Sequence, residues 1–392
     1  MLNLSTVQKC GLIGVLLAAS AGAQTVTATD PQALRGCGGE PGAPAWAEAG
    51  VYSGTLGSSE VTLELARQPI TPEQTAALKW DAPNHYFYAG RADNLGLTTF
   101  RSGNTLILQE QGRRVGGSGW AVTGCFTLEA AGQGWHGTWK APGTANTLKV
   151  NLKPLDVARV PLHLLSSPGL LGLRKTDPLT FLKLNQPWKV TPDRVREPLT
   201  GLNYPRVPDA TPALNRFLQD RLLEHAEHSL SCAANNLRSV GTRGEYSLKA
   251  SVTLLTPRLL SITEDSSSLC GGPHPFDGQE GLILDRAKGR VVPLEHLWPS
   301  LTPARLKELY LQETALGAAS VSATDPGSGC DEALREMSPS FSVNLTSIGL
   351  SLTPTSLPYV LKTCISSVVV LYSQLQRGAN TGSPYYADLY RK

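Results

Sequence analysis

His274 is the residue best placed to do chemistry. It closes the run Leu269-Cys270-Gly271-Gly272-Pro273-His274, in a loop that Gly and Pro hold out of regular structure. An exposed imidazole there can contact a ligand or exchange a proton near neutral pH. Gly271 and Gly272 would supply the tight turn that presents it, so all three are ligand-binding candidates. The competing reading is a turn held by a backbone hydrogen bond from His274. No nucleophile or second base is recognisable nearby to make the histidine catalytic.

Other groups carry weaker signals. His225 and His228 fall three apart on an expected helix, with Glu224 and Glu227 alongside. That spacing puts two ligands on one face and suits zinc, but no third ligand is evident, so a solvated face is expected and no metal is assigned. Glu264-Asp265 precedes Ser266-Ser267-Ser268 and reads as acidic turn chemistry at a strand end. Gly116-Gly117-Ser118-Gly119 has the composition of a hydrolase turn but the wrong spacing, and reads as a loop. Trp120, Trp135 and Trp139 cluster in the first half. Exposed, they would stack on sugar rings, which makes Trp135 a further binding candidate; buried, they are core. No nucleophile elbow, phosphate loop or zinc-protease helix is present. The sequence therefore names no catalytic residue and no cofactor.

The ends and the cysteines set the compartment. Lys9, the apolar run Gly11 to Ala19 and the small residues Ala21-Gly22-Ala23 predict a signal peptide over residues 1–23, cleaved before Gln24. The run is too short to span about 30 Å of hydrocarbon, and no later segment is long and apolar enough to cross a membrane. A soluble mature protein, periplasmic or secreted, is the expectation. Cleavage leaves Cys37, Cys125, Cys232, Cys270, Cys330 and Cys364, an even set that reads as structural disulfides in an oxidising compartment. None lies in a C-x-x-C pair, against redox and zinc roles. If the halves fold separately, Cys37 pairs with Cys125, and the other four allow three pairings. Proximity favours Cys232–Cys270 and Cys330–Cys364. The formal charge of +3 gives no electrostatic case for nucleic acid.

The elements that must position these residues have two textures. Residues 24–47 are an extended lead-in tied at Cys37. Residues 48–153 alternate apolar and polar side chains in short segments: Gly50 to Leu65, His85 to Ala89, Leu95 to Phe100, Thr105 to Glu110, Gly124 to Glu129, Gly134 to Lys140 and Leu148 to Leu152. Gly, Asn and Pro separate them, which predicts an antiparallel β sandwich or small barrel. Residues 154–175 form a connector. Residues 176–376 open with Leu179 to Leu184 and Leu199 to Pro205. A helix follows from Thr211-Pro212, where Thr caps and Pro suits the first turn. Its stripe is Leu214, Phe217, Leu218, Leu222, Ala226 and Leu230. Period-two segments then predict hairpins around Pro257 and Ala287-Lys288-Gly289, a helix from Pro303 to Thr314, and strands near Phe341 to Leu345 and Ile365 to Tyr372. This half reads as an antiparallel sheet with helices on one face, making the chain α+β overall. Residues 377–392 remain as a C-terminal tail.

Two resemblances add to this. Gly50 to Gly57, His85-Tyr86-Phe87-Tyr88, Leu106 to Glu110 and Gly137-Thr138-Trp139 resemble a β-meander module of bacterial exported proteins and lipoproteins, which implies a strand-rich fold. The second covers roughly Leu179 to Leu375. It rests on Asn203-Tyr204-Pro205 before the helix, Leu269 to Pro275, Gly281 to Asp285, Val292 to Trp298, Phe341 to Leu352, Pro358-Tyr359 and Val368 to Leu375. This order is similar to the domain of unknown function in the ectodomain of a lysozyme-sensing anti-sigma factor. The same domain accompanies some peptidoglycan deacetylases as a non-catalytic module. The family has Gly-Gly-Ala-His where this chain has Gly271-Gly272-Pro273-His274, and its Gly after Pro-Tyr is missing near Pro358-Tyr359.

These readings favour a non-catalytic cell-envelope or secreted binding protein. The resemblance implies an extracellular protein such as a lysozyme, or a peptidoglycan fragment, as partner. The alternatives are a hydrolase of envelope polymers using His274 with Glu264 or Asp265, and a structural envelope protein with no specific ligand.

Overall fold

A computed structural model describes residues 36–66, 84–113, 120–240, 242–272, 274–318, 334–337 and 339–390. The expected signal peptide, the loop at Gly116-Gly117-Ser118-Gly119, and Cys330 lie outside them, and with Cys330 the proposed Cys330–Cys364 bridge.

The period-two half closes into a barrel. Strand β1 (Glu40–Pro41) is followed by β2 (Gly50–Leu56), β3 (Ser59–Leu65), β4 (Asn84–Tyr88), β5 (Leu95–Ser102), β6 (Thr105–Arg113), β7 (Trp120–Ala131), β8 (Gly134–Lys140) and β9 (Thr147–Pro154). From β2 to β9 each strand pairs antiparallel with the next, and β9 returns to β2 from Tyr52↔Pro154 to Leu56↔Val150. Closure leaves no edge to template aggregation. Gly54 sits on the closing seam, where a Cβ would lie 1.9 Å from the Asn151 carbonyl oxygen, so the strands approach closely only because the side chain is absent. Tyr52, Leu63, Tyr86, Leu97, Leu108, Phe126 and Leu152 fill the interior. β1 pairs onto β5, and the Cys37–Cys125 disulfide ties the lead-in to β7.

The expected connector carries a helix. α1 (Pro168–Thr176) is capped by Ser167, and α2 (Pro178–Leu184) by Asp177, each with Pro in its first turn. Both pack on α3 (Pro212–Val240), whose Thr211 hydroxyl accepts from the Leu214 N–H at 3.2 Å. Leu179 of α2 packs on Val51 and Phe87 of the barrel. Lys183 reaches the same wall, donating to the Ala92 carbonyl and Asn94 Oδ1, both at 2.6 Å.

Three small antiparallel sheets complete the α+β fold. The first holds β10 (Lys189–Val190), β11 (Arg194–Arg196) and β12 (Asn203–Pro205). The second holds β13 (Glu245–Leu255), β14 (Leu259–Leu269), β15 (Phe276–Asp285) and β16 (Arg290–Val291). After α4 (Pro303–Ala318), the third holds β17 (Ser340–Leu345), β18 (Gly349–Thr355) and β19 (Val368–Leu371). Alternation along β14 and β15 sends Leu260, Ile262, Leu282 and Leu284 toward α3. Leu259 and Ile283 face the opposite way, into a core shared with the third sheet and α4. α3 covers one face of the second sheet, and the third sheet covers the other, with α4 packed on the third sheet. The last residues are not a free tail: Tyr385 is buried and donates to Asp285 Oδ2 at 2.7 Å, and Asp388 accepts from Thr256 Oγ1 at 2.6 Å.

Candidate functional site

β14 ends at Leu269, next to Cys270, whose disulfide to Cys232 pins the following loop to α3. Gly271 takes a left-handed φ of +101°, which a side chain would oppose. Gly272 has no atom closer to its Cβ position than the His274 carbonyl oxygen at 3.7 Å. The His274 ring is exposed and stacks on Tyr359, with centroids 4.2 Å apart and planes 21° apart. Lys362, in the 3-10 turn Tyr359–Cys364, locks the two segments together. Its ammonium donates to the Pro275 carbonyl at 3.3 Å and to Asp277 Oδ2 at 3.0 Å, and lies 5.1 Å and 5.7 Å from the Tyr359 and Phe276 ring centroids. Hydrogen bonds from Ser267 and Lys362 hold the Asp277 carboxyl below its ordinary pKa. Around this clamp Phe276 is 69% exposed, Tyr359 52% and Val360 80%, with Ile365 also exposed.

A second cluster lies under α3. Glu264 is not at a strand end. β14 continues through the three serines, which pair with Asp277, Gly278 and Phe276 on β15. Its carboxylate is 1% exposed and faces α3. Arg221 grips it with Nε at 3.1 Å from Oε1 and Nη2 on Oε2, and the Tyr204 hydroxyl donates to Oε1. Arg221 also reaches Glu224 at 2.9 Å and Glu280 at 2.7 Å. His225 departs from the solvated face expected of it: it is buried, with Nε2 3.1 Å from Glu264 Oε2 but off the line of a good hydrogen bond. Its Nδ1 lies 2.6 Å from the Tyr246 hydroxyl. His228, Glu224 and Glu227 are exposed as expected. Burial alone would raise the Glu264 pKa. Contact with His225 and hydrogen bonds from Arg221 and Tyr204 overcome it and bring the value down to about 2. Burial and the neighbouring carboxylate push the Tyr204 phenol well above its ordinary range. The cluster therefore holds a carboxylate that stays ionised near neutral pH and accepts from Tyr204 and Arg221, which suits fixing α3 to the sheet.

The groups a hydrolase would need do not converge. Glu264 is under α3, and Asp265 points to the other face of β14, accepting from Gln279 Nε2 at 2.6 Å. His274 sits in the loop beyond, on Tyr359. Trp135 is no exposed sugar platform: it is 3% exposed inside the barrel, stacked on Tyr52 at 3.8 Å with Trp46 edge-on at 6.1 Å. Trp139 is partly buried and donates to Glu110 at 3.2 Å. Among the described residues, no three His, Cys, Asp or Glu side chains are grouped to hold a metal, and no helix is long and apolar enough to cross a membrane. Sequence reasoning overlooked Phe276, Val360 and Lys362; the apolar residues flanking Pro275 and Tyr359, in segments otherwise rich in turn residues, were the available signal.

No family model matches the chain, and no curated protein matches it. Among solved structures it is similar to a member of the DUF3298 family from Bacteroides fragilis, at 14% identity and a TM-score of 0.36, over 49% of this chain and 87% of that one. It is also similar to a DUF3298 family protein from Pseudomonas aeruginosa, at 19% identity and a TM-score of 0.34, over 46% of this chain and 84% of that one. Both neighbours belong to a family of domains of unknown function.

Proposed function

We propose that this chain is an exported, non-catalytic binding protein of the cell envelope or the extracellular space, and that it recognises a protein partner through the surface around His274 and Tyr359. One observation carries the reading: Phe276, Tyr359 and Val360 stand largely exposed around a pinned loop. Apolar side chains held out in water as a group mark interaction sites, and aromatic anchors dominate protein interfaces. The disulfide and the Lys362 clamp support it by holding the loop in place before binding, which lowers the ordering cost. One face of Tyr359 is covered by His274, and the Lys362 ammonium lies over the Tyr359 and Phe276 rings. This favours a protein over a sugar, which needs open ring faces. The resemblance to the lysozyme-sensing domain makes a lysozyme the first partner to test and a peptidoglycan fragment the second.

The test is calorimetry of the full oxidised chain with a lysozyme and, separately, with soluble muropeptides. Saturable lysozyme binding that Tyr359→Ala or Phe276→Ala weakens about thirtyfold, with the circular dichroism spectrum unchanged, is the expected result. Binding of muropeptides alone would move the reading to a wall-fragment receptor. Lysozyme binding indifferent to both substitutions would remove this surface from the reading.

A further inference from the structure

A second site lies away from that surface, between α3 and the small sheet β10–β12. A half-open cleft of about 470 Å³ separates them, a size in the ordinary range for small organic ligands. Its wall is mostly apolar, with Trp188, Val195, Leu218 and Leu222 among its residues. From β10 and β11 only the valines Val190 and Val195 line it.

The polar groups of the wall are lopsided. Both ends of the Gln219 amide are already used, the oxygen by the Leu165 N–H at 2.9 Å and the nitrogen by the Leu165 carbonyl at 2.8 Å. The Tyr204 hydroxyl is committed to Glu264. Asn215 gives its amide nitrogen to the Ala210 carbonyl at 3.3 Å and keeps its oxygen as an acceptor; the other groups are donor or cationic. The Trp188 indole Nε1–H is buried with no acceptor. Arg206 is exposed at the cleft, with one guanidinium nitrogen on the Thr191 carbonyl at 3.3 Å, and the His163 ring is exposed as well. Among the described residues, no Asp or Glu lines the cleft. An arginine beside an apolar cleft with no acid among the described lining residues suits a planar anion.

We propose that this cleft binds a small molecule with an apolar body and a carboxylate head, the body against Val190 and Leu218 and the carboxylate toward Arg206. The probe is decanoate, titrated into the full oxidised chain below its micelle concentration, with decanol and decyltrimethylammonium as neutral and cationic controls. Decanoate is expected to bind one saturable site, and Arg206→Ala to weaken it about tenfold or more. The cationic control is expected not to compete. Leu218→Trp, which fills the cleft, is expected to abolish binding. Should that variant fail to fold, Val190→Trp narrows the cleft from its exposed strand and is expected to weaken decanoate while leaving the helix signal intact. Absence of saturable decanoate binding would overturn the site. Equal binding of decanol, or indifference to Arg206→Ala, would overturn the carboxylate head.

Discussion

Replacing Glu264 with Gln isolates the charge at the centre of the α3 cluster, since the two side chains have nearly the same shape. In the folded protein the carboxyl titrates at about 2, against an ordinary value of 4.5. A displacement of that size corresponds to roughly 3 kcal/mol of stability. Removing one partner of a buried ion pair independently costs about 3–5 kcal/mol. Arg221 keeps Glu224 and Glu280 after the substitution, so the lower end applies, and the two routes agree at about 3 kcal/mol. The sign follows from the depressed pKa. The contribution is fully present above pH 4.5 and is lost as pH falls toward 2. The assay is urea unfolding followed by the helix band in circular dichroism, because among the described residues the long helices follow the barrel in the chain. At neutral pH Glu264→Gln should unfold more easily by about 3 kcal/mol, and the gap to wild type should close steadily as pH drops below 4.5. A gap of constant size down to pH 2 would show that shape or hydrogen bonding, not charge, accounts for the effect.

Two further outcomes can be measured on the same preparations. Cys232→Ser with Cys270→Ser opens a crosslink between positions 38 residues apart; in the chain-entropy model this costs about 4 kcal/mol, read as a fall in the urea midpoint that matches the effect of reductant on this bond. Burial lowers the Lys183 pKa to about 8 from 10.5, so between those values the unfolded chain binds more protons than the folded one and stability from this group rises with pH. Lys183→Met should flatten that rise in thermal unfolding scans between pH 8 and 10.5.

Strand and helix positions were largely legible because they rest on local patterns. Alternation marked the barrel strands from Gly50 to Leu152, except that Gly50 to Leu65, read as one segment, is the hairpin β2–β3, and Thr211-Pro212 marked the start of α3 through a cap and a residue that lacks only an unused N–H. The helix over Leu179 to Leu184 is plain once Asp177 and Pro178 are read as its cap and first residue. The serines after Glu264 misled for a local reason: they resemble a turn, yet β15 supplies partners for all three.

What the sequence by itself determined is the type of structure: many short strands, amphipathic helices, cysteines suited to crosslinking, and a histidine raised on a glycine turn. Periodicity and turn chemistry act over a few residues, and they are written in neighbouring letters. Only the tertiary structure decided whether the strands formed a sandwich or a closed barrel, since that depends on β9 finding β2 across most of the domain. It also decided that Trp135 is interior, that His225 and Glu264 share one buried cluster, and that His274 rests on Tyr359 from far along the chain. Burial and pairing depend on which surfaces meet, and the patterns that set each surface do not encode its partner.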